Sequence, residues 1–251
     1  MKTSEYDKLD RLENRMWWFA ALHANLLAAA QQSAIDGLGL PILDAGCGTG
    51  RFLSYLAVKY SRTSVFGLDL DFRACTRAAT KSARPVCVGS VNDLPFANNA
   101  LAAIFSADVL CHEGVDDHRA LRQFHRCLSQ NGRLILNLPA YPWMLSRHDV
   151  AVSNTRRYTA AGLRRLLKAV GFRPVYISYW NAVLFPLMVI TRKLFREGHG
   201  SASDVRLYPQ LVEMLCRAAT RLETAVLRRG VGLPFGGSIL AIAVKGGDDR
   251  D

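Results

Sequence analysis

Between Pro41 and Arg51 the chain reads Ile42-Leu43-Asp44-Ala45-Gly46-Cys47-Gly48-Thr49-Gly50. Two apolar residues lead into an acid, and glycines then stand at alternate positions. The expectation is a buried strand over 41–45, a tight turn, and a helix over 51–60. Glycines in such a turn let backbone N–H groups approach a ligand that a Cβ would hold off. Nicotinamide enzymes space these glycines as G-x-G-x-x-G. Here Gly50 follows Gly48 directly after Thr49, and position 51 is arginine, which argues against a nicotinamide dehydrogenase.

Strand and helix patterns alternate after this turn. Ser64 to Asp71 reads as a strand, with Asp69 25 residues beyond Asp44, the separation of one helix plus one strand in a βαβ unit. Helices are expected over 72–82, 117–129 and 160–170, the last closed by Gly171, and strands over 85–88, 101–106, 133–140, 172–180 and 238–245. Residues 4–34 read as helical, since Leu9, Leu12, Met16, Phe19, Leu22 and Leu26 recur at three- and four-residue steps. The Trp17-Trp18-Phe19 cluster sits inside that stretch. The stretch from Asn181 to Gly237 is too long for a simple connection and needs structure of its own. Its first part, 182–191, is strongly apolar and followed by Arg192, Lys193 and Arg196. It is too short, and too interrupted by Pro186, to span a bilayer, which takes roughly 20 residues. After a Gly/Ser-rich break at 198–203, Pro209 to Arg228 reads as an amphipathic helix. Leu211, Leu215, Ala218, Leu222 and Val226 share one face, and Glu213, Arg217, Arg221, Thr224 and Arg228 the other.

Asp44-Ala45-Gly46-Cys47-Gly48-Thr49-Gly50 resembles motif I of the class I S-adenosylmethionine (SAM)-dependent methyltransferases. Gly89 to Phe96 resembles that family's G-D-A-x-x-L-P-F stretch, with Ser90 where the adenine-contacting Asp is usual. Ala107 to His112 resembles its s-d-V-L-x-H turn, and Gln130 to Ala140 its P-G-G-x-L-x-x-x-x-P unit. After the fifth strand, His148-Asp149 and Arg156-Arg157-Tyr158-Thr159 are similar to a bacterial methyltransferase-domain-11 subgroup with an H-D then R-R-Y-[ST] pattern.

The resemblance implies an α/β, doubly wound, Rossmann-like fold with a seven-stranded sheet whose strand 7 is antiparallel. Within one domain it implies an N-terminal helical lid over 1–39 and a core over 40–180 and 238–246; where the family has a short hairpin between strands 6 and 7, residues 181–237 read as a helical insertion. The implied cofactor is SAM, released as S-adenosylhomocysteine. Its implied contacts are Asp44, Gly46, Cys47, Gly48, Gly50, Asp69, Leu70, Ser90, Val91 and Ser106, with Asp69 facing the ribose hydroxyls. His148, His112 and Tyr158 are the catalytic candidates, and Trp18, Asp149, Arg156 and Arg157 the acceptor-binding ones. A histidine can remove a proton near neutral pH, with an acid such as Asp149 to orient it. Arginines can hold an anionic group in forked hydrogen bonds. The competing reading makes His148 and Tyr158 loop-closing groups and the arginines helix caps. The expected reaction moves a methyl group to an O, N or C atom of a small-molecule or lipid-linked acceptor. A non-catalytic SAM-binding scaffold and a nucleic-acid methyltransferase are the alternatives, the latter disfavoured because the N/D-P-P-Y/F target-base motif is absent from the sequence.

Charge narrows the partners. Residues 1–150 carry 16 Lys+Arg and 14 Asp+Glu, while 151–251 carry 16 and 7, so the net +11 divides into +2 and +9. A basic final third suits an anionic partner, either an acceptor or a lipid surface. The insertion therefore reads as a cap over the site, a peripheral membrane contact through 182–196, or a homodimer interface. Six cysteines lack a C-x-x-C pair, which suits reduced cytoplasmic thiols, at the inner membrane face if the insertion binds lipid. The acids and histidines at 112–118 read as helix-start residues, and no metal is expected.

Overall fold

A computed structural model describes residues 3–194 and 207–246. The expected Gly/Ser-rich break at 198–203, and Arg196, lie outside the described residues.

Seven strands form one sheet in the order β3-β2-β1-β4-β5-β7-β6. The strands are β1 (Ile42–Ala45), β2 (Val65–Asp69), β3 (Val86–Val88), β4 (Leu101–Ala107), β5 (Leu128–Pro139), β6 (Phe172–Trp180) and β7 (Ser238–Lys245). β1 to β5 run parallel, and β7 lies antiparallel between β5 and β6. The seven-stranded α/β sheet and its antiparallel last strand are as expected. Strand order reverses between β1 and β4, and in open α/β sheets ligands bind beyond the carboxyl ends at such a switch point.

The central strands are buried on both sides, so they read as unbroken apolar runs. Successive residues nonetheless separate cleanly. Ile42, Phe105 and Ile135 pack in one cluster, while Leu43, Ile104 and Leu136 pack in the other. The first cluster is covered by α2 (Trp17–Gln32) and α3 (Arg51–Lys59), with Ala78 of α4 (Phe72–Ser82). The second is covered by α5 (Asp117–Cys127) and α7 (Ala160–Ala169). Asp71 caps α4, Asp116 caps α5 and Thr159 caps α7, each accepting a backbone N–H three residues on.

The N-terminal stretch corrects one expectation. Instead of a continuous helix, α1 (Thr3–Leu12) and α2 are separated by a break at 13–16. Glu13 turns inward to accept the Thr49 hydroxyl at 2.8 Å and to pair with Lys81. Asp7 pairs with Arg77, and Asp10 lies 2.6 Å from Lys81, so α1 is held down on α4. No glycine or proline marks the break; long-range ion pairs make it.

The insertion contains α8 (Phe185–Leu194) and α9 (Gln210–Arg228). Pro186 is tolerated in the first turn of α8, where a backbone donor is not needed. α9 packs on α2, and its Glu213 carboxylate accepts the Trp17 N–H at 2.7 Å. That bond caps a helix start whose own Met16 has no capping side chain.

The loop after β5 is organised by charge. α6 (Arg147–Ala151) carries Asp149, fully buried, which accepts Arg157 Nε at 2.9 Å and Arg157 Nη2 at 3.0 Å. Its Oδ2 also accepts Ser146 N at 2.8 Å and Ser146 Oγ at 2.9 Å. Burial pushes the Asp149 carboxyl up, but Arg157 and Ser146 outweigh it and hold it below the usual range. Removing one member of such a pair strands a buried charge. Arg157→Ala is expected to lower unfolding free energy by about 3–5 kcal/mol in urea denaturation; a loss under about 1 kcal/mol, the ordinary range of a surface pair, would contradict this.

Candidate active site

The carboxyl ends of β1, β2 and β4 open into one cavity of about 660 Å³. The glycine turn forms its floor. Gly46 has φ +85° and Gly48 φ +53°. A Cβ on Gly46 would lie 2.1 Å from Val109 Cγ2, so only glycine lets the turn after β4 pass so close. Gly46 N and Cys47 N both donate to Leu68 O, at 2.7 and 3.0 Å, which ties the turn to the end of β2.

Two carboxylates flank the turn. Asp69 Oδ2 accepts Gly48 N at 2.8 Å, while Oδ1 accepts Asp71 N at 3.1 Å and the Tyr6 hydroxyl at 2.9 Å. Asp44 is only 3% exposed, and its Oδ2 has no hydrogen-bond partner among the described residues. Burial, reinforced by the nearby Asp69 charge, raises the Asp44 carboxyl to about 8. An unpartnered buried acceptor beside a glycine cradle fits a ligand that brings its own donors or positive charge. SAM, with an ammonium group, ribose hydroxyls and a sulfonium, has that chemistry.

Most of the expected cofactor residues meet here. Asp44, Gly46, Cys47, Gly48, Asp69, Leu70, Ser90 and Val91 all line the cavity. Cys47 contributes as a small buried side chain: burial and both aspartates push its thiol far above the usual range, so it stays protonated. Gly50 and Ser106 are not on the cavity wall. Gly50, with φ +89°, caps the start of α3, and a Cβ there would lie 2.4 Å from Ala78 Cα; its requirement is helix packing. Ser106 is 1% exposed within β4; strand alternation puts Ala107, which lines the cavity, on the other face, and Asp108, past the strand end, lines it too.

The expected acceptor-side residues divide in the same way. His112, His148, Trp18 and Arg157 line the cavity. His112 is half-buried with Nδ1 3.4 Å from Ser153 O, and burial lowers its pKa. The Asp149 oxygens accept from Arg157 and Ser146. Tyr158 lies off the cavity, its hydroxyl 2.9 Å from both Leu110 O and the Asp117 carboxylate. Burial and Asp117 push that phenol far above its usual value. Arg156 also faces Asp117, at 3.6 Å, away from the cavity. The R-R-Y pattern is thus largely a loop-closing device.

Asp108 was not among the residues expected from sequence. It lines the cavity at the end of β4 with φ +55°, a conformation that costs a non-glycine residue energy and clusters at functional sites. Its Oδ1 accepts Asn137 Nδ2 at 3.0 Å, and Asn137 Oδ1 accepts the buried Trp180 indole N–H at 2.7 Å. Burial raises the Asp108 carboxyl to about 7, with the Asn137 bond and Arg157 pulling the other way. The signal available in the sequence was the acid of the s-d-V-L-x-H turn. Tyr6 and Glu13, also in the cavity wall, come from α1, where no motif marks them. Beyond the strand ends the wall becomes apolar, with Trp18, Leu184, Leu187, Met188 and Val212.

Residues 43–136 match the Methyltransferase domain family, Methyltransf_11. The chain is 32% identical over 231 residues to malonyl-[acyl-carrier protein] O-methyltransferase of Dechloromonas aromatica, covering 86% of this chain and 84% of that one. It is 32% identical over 157 residues to an uncharacterised protein of Mycobacterium tuberculosis, covering 59% of this chain; there it spans about half, 52%, of the relative's length. The fold is shared with a methyltransferase solved in complex with the Haloferax volcanii Trm112 methyltransferase activator, at TM-score 0.59 and 17% identity, covering 98% of this chain and 95% of that one. Glycine cradle, paired carboxylates, sheet order and sequence agree: the chain belongs to the methyltransferase-domain-11 family of SAM-dependent methyltransferases, whose cofactor is SAM.

Proposed function

We propose that the protein transfers the methyl group of SAM to a small-molecule or lipid-linked acceptor held in the apolar part of the cavity, with Asp108 as the proton acceptor. One observation carries this reading. A single cavity is lined by the paired carboxylates Asp44 and Asp69, by the acid–base candidates Asp108, His112 and His148, and by the apolar wall from α2, α8 and α9.

Asp44, Asp69 and the glycine turn hold the cofactor, while Ser90 and Val91 border the part of the cavity nearest β3. Bound SAM supplies a methyl group activated by its sulfonium. The chain's own work is alignment of the acceptor and exclusion of water. Trp18, packed 6.1 Å from Trp180, and side chains of α8 and α9 form the outer, apolar part of the cavity wall. A general base works best with a pKa near the operating pH. Asp108 meets that condition through burial, and Asn137 with Trp180 fixes its orientation. His112 and His148 orient the acceptor from the same wall. The Dechloromonas relative methylates malonyl-[acyl-carrier protein], so a carboxyl-bearing acyl chain on a carrier is one acceptor that suits the apolar wall. A carboxylate acceptor is already anionic and needs no base, whereas an alcohol, amine or carbon acid does.

Incubation with methyl-labelled SAM and either malonyl-[acyl-carrier protein] or lipid extract is expected to label one acceptor; SAM binding without transfer to any acceptor would leave a binding scaffold instead. For an acceptor that must lose a proton, turnover should rise with pH through about 7. Asp108→Asn should then lower kcat by roughly 10²–10⁴ and abolish that rise, with SAM affinity unchanged. Full activity in that variant removes Asp108 as base.

Asp44 gives a second test. The folded apo chain keeps a proton on Asp44 up to about pH 8, while the unfolded chain releases it near pH 4. Unfolding therefore releases a proton, and stability falls as pH rises through that window. Asp44→Asn should remove this loss, raising the apo melting temperature at pH 8, yet weaken SAM binding at least about tenfold in calorimetry by removing a charge-assisted contact. Unchanged SAM affinity would contradict the assignment of Asp44 to the cofactor.

A further inference from the structure

The α9 helix is amphipathic with its apolar face outward. The side chains it buries are Glu213, Thr220, Glu223, Thr224 and Leu227. Leu211, Met214, Leu215 and Leu222 are 62%, 59%, 59% and 72% exposed. With Ala218 and Ala225, also exposed, they follow the spacing of one helical stripe, running about 20 Å along the axis.

This orientation is held by specific bonds. Glu213 accepts Trp17 N at 2.7 Å and Tyr208 N at 3.2 Å. Glu223 accepts Ala182 N at 3.1 Å and Val183 N at 2.8 Å. The Thr224 hydroxyl donates to Asn25 Oδ1 at 2.7 Å. Turning the leucines inward would break all of these and leave the backbone N–H groups of Trp17, Ala182 and Val183 without these acceptors. The apolar stripe is therefore left for something outside the chain's own core.

Charge selects the occupant. Arg217, Arg221 and Arg228 follow one another along one flank of the stripe, with Arg221 and Arg228 exposed. Both acids of α9 are buried and used internally. A second copy docked antiparallel through this helix would set arginine flank against arginine flank, and one docked parallel would set it against the opposite flank, in both cases with no exposed acid of α9 to balance it. The segment 195–206, whose structure lies outside the described residues, reads FREGHGSASDVR and has only Phe195 and Val205 as large apolar residues, too few to cover the stripe. An apolar face with arginine on its flank is the pattern of a helix lying in the surface of an anionic bilayer.

We propose that α9 docks this protein on an anionic lipid surface, its leucine stripe in the headgroup–acyl boundary and its arginines on lipid phosphates. The surface adjoins the cavity, since Val212 and Cys216 of the same helix line it. A membrane-borne amphiphile could then reach the cavity without crossing water. The contact shifts from the expected 182–196 stretch to α9, with Leu187 and Ile190 of α8, 60% and 50% exposed, as further apolar surface beside the cavity. Docking does not depend on the assignment of the base or the acceptor.

The test is flotation of the full chain with vesicles of phosphatidylcholine alone or mixed equally with phosphatidylglycerol, at low and high salt. Binding is expected only to the mixed vesicles and is expected to weaken with salt. Leu215→Glu with Leu222→Glu, and separately Arg221→Glu with Arg228→Glu, should each weaken it at least about tenfold. Neither pair lines the cavity, so SAM titration should be unchanged and reports that each variant is folded. Failure of the wild-type chain to bind mixed vesicles, variants that bind as the wild type does, or a solution dimer that the leucine variant dissociates would each overturn the proposal.

Discussion

The Asp69 carboxylate joins three parts of the chain. It accepts Gly48 N from the turn after β1, Asp71 N from the start of α4, and the Tyr6 hydroxyl from α1. A buried carboxylate needs several donors to offset its lost hydration. Meeting that need draws the glycine turn toward β2 and α1 down over the strand ends. The ion pairs of Asp7 with Arg77 and of Asp10 and Glu13 with Lys81 then hold α1 in place. Asp44 lies in the same wall with an oxygen left unpartnered. The site is thus built around buried carboxyl groups that the protein itself only partly satisfies, Asp44 keeping its proton until a ligand arrives, and it is suited to a ligand that completes them.

The acceptor side follows the same logic of buried polar groups. Trp180, Asn137 and Asp108 form a chain from the sheet interior to the cavity. Arg157 and Asp149 brace the loop after β5, and Tyr158 is spent on Asp117 and Leu110. Rigid supports of this kind fix the few side chains that remain directed into the cavity. The insertion is attached by the same means, with Glu213, Glu223 and Thr224 all bonding across to other elements. Its polar face does the internal work, which is why its apolar face is outside.

Much of this was legible from local patterns. β6 and β7 begin and end at the expected residues, as does α4, because each has a clear period and clear flanks. The glycine spacing and the distance from Asp44 to Asp69 picked out residues that line one cavity. Gly50 and Ser106 show the limit. Gly50 sits in the glycine motif and Ser106 just before the turn that follows β4, yet helix packing and strand alternation turn them away from the cavity. The break between α1 and α2 was invisible because its cause, Glu13 reaching Thr49 and Lys81, is not local.

The sequence by itself determined the α/β class, the strand count, the glycine cradle and the family, since each follows from short-range periodicity or a contiguous motif. Only the tertiary structure decided which way α9 faces, which member of the H-D…R-R-Y pattern reaches the cavity, and that Asp108 is buried enough to titrate near 7. Periodicity says that a helix has two faces, but not which is inside. That depends on whether distant donors and acceptors can satisfy the polar one, and a carboxyl's pKa depends on how much of the rest of the chain excludes water from it.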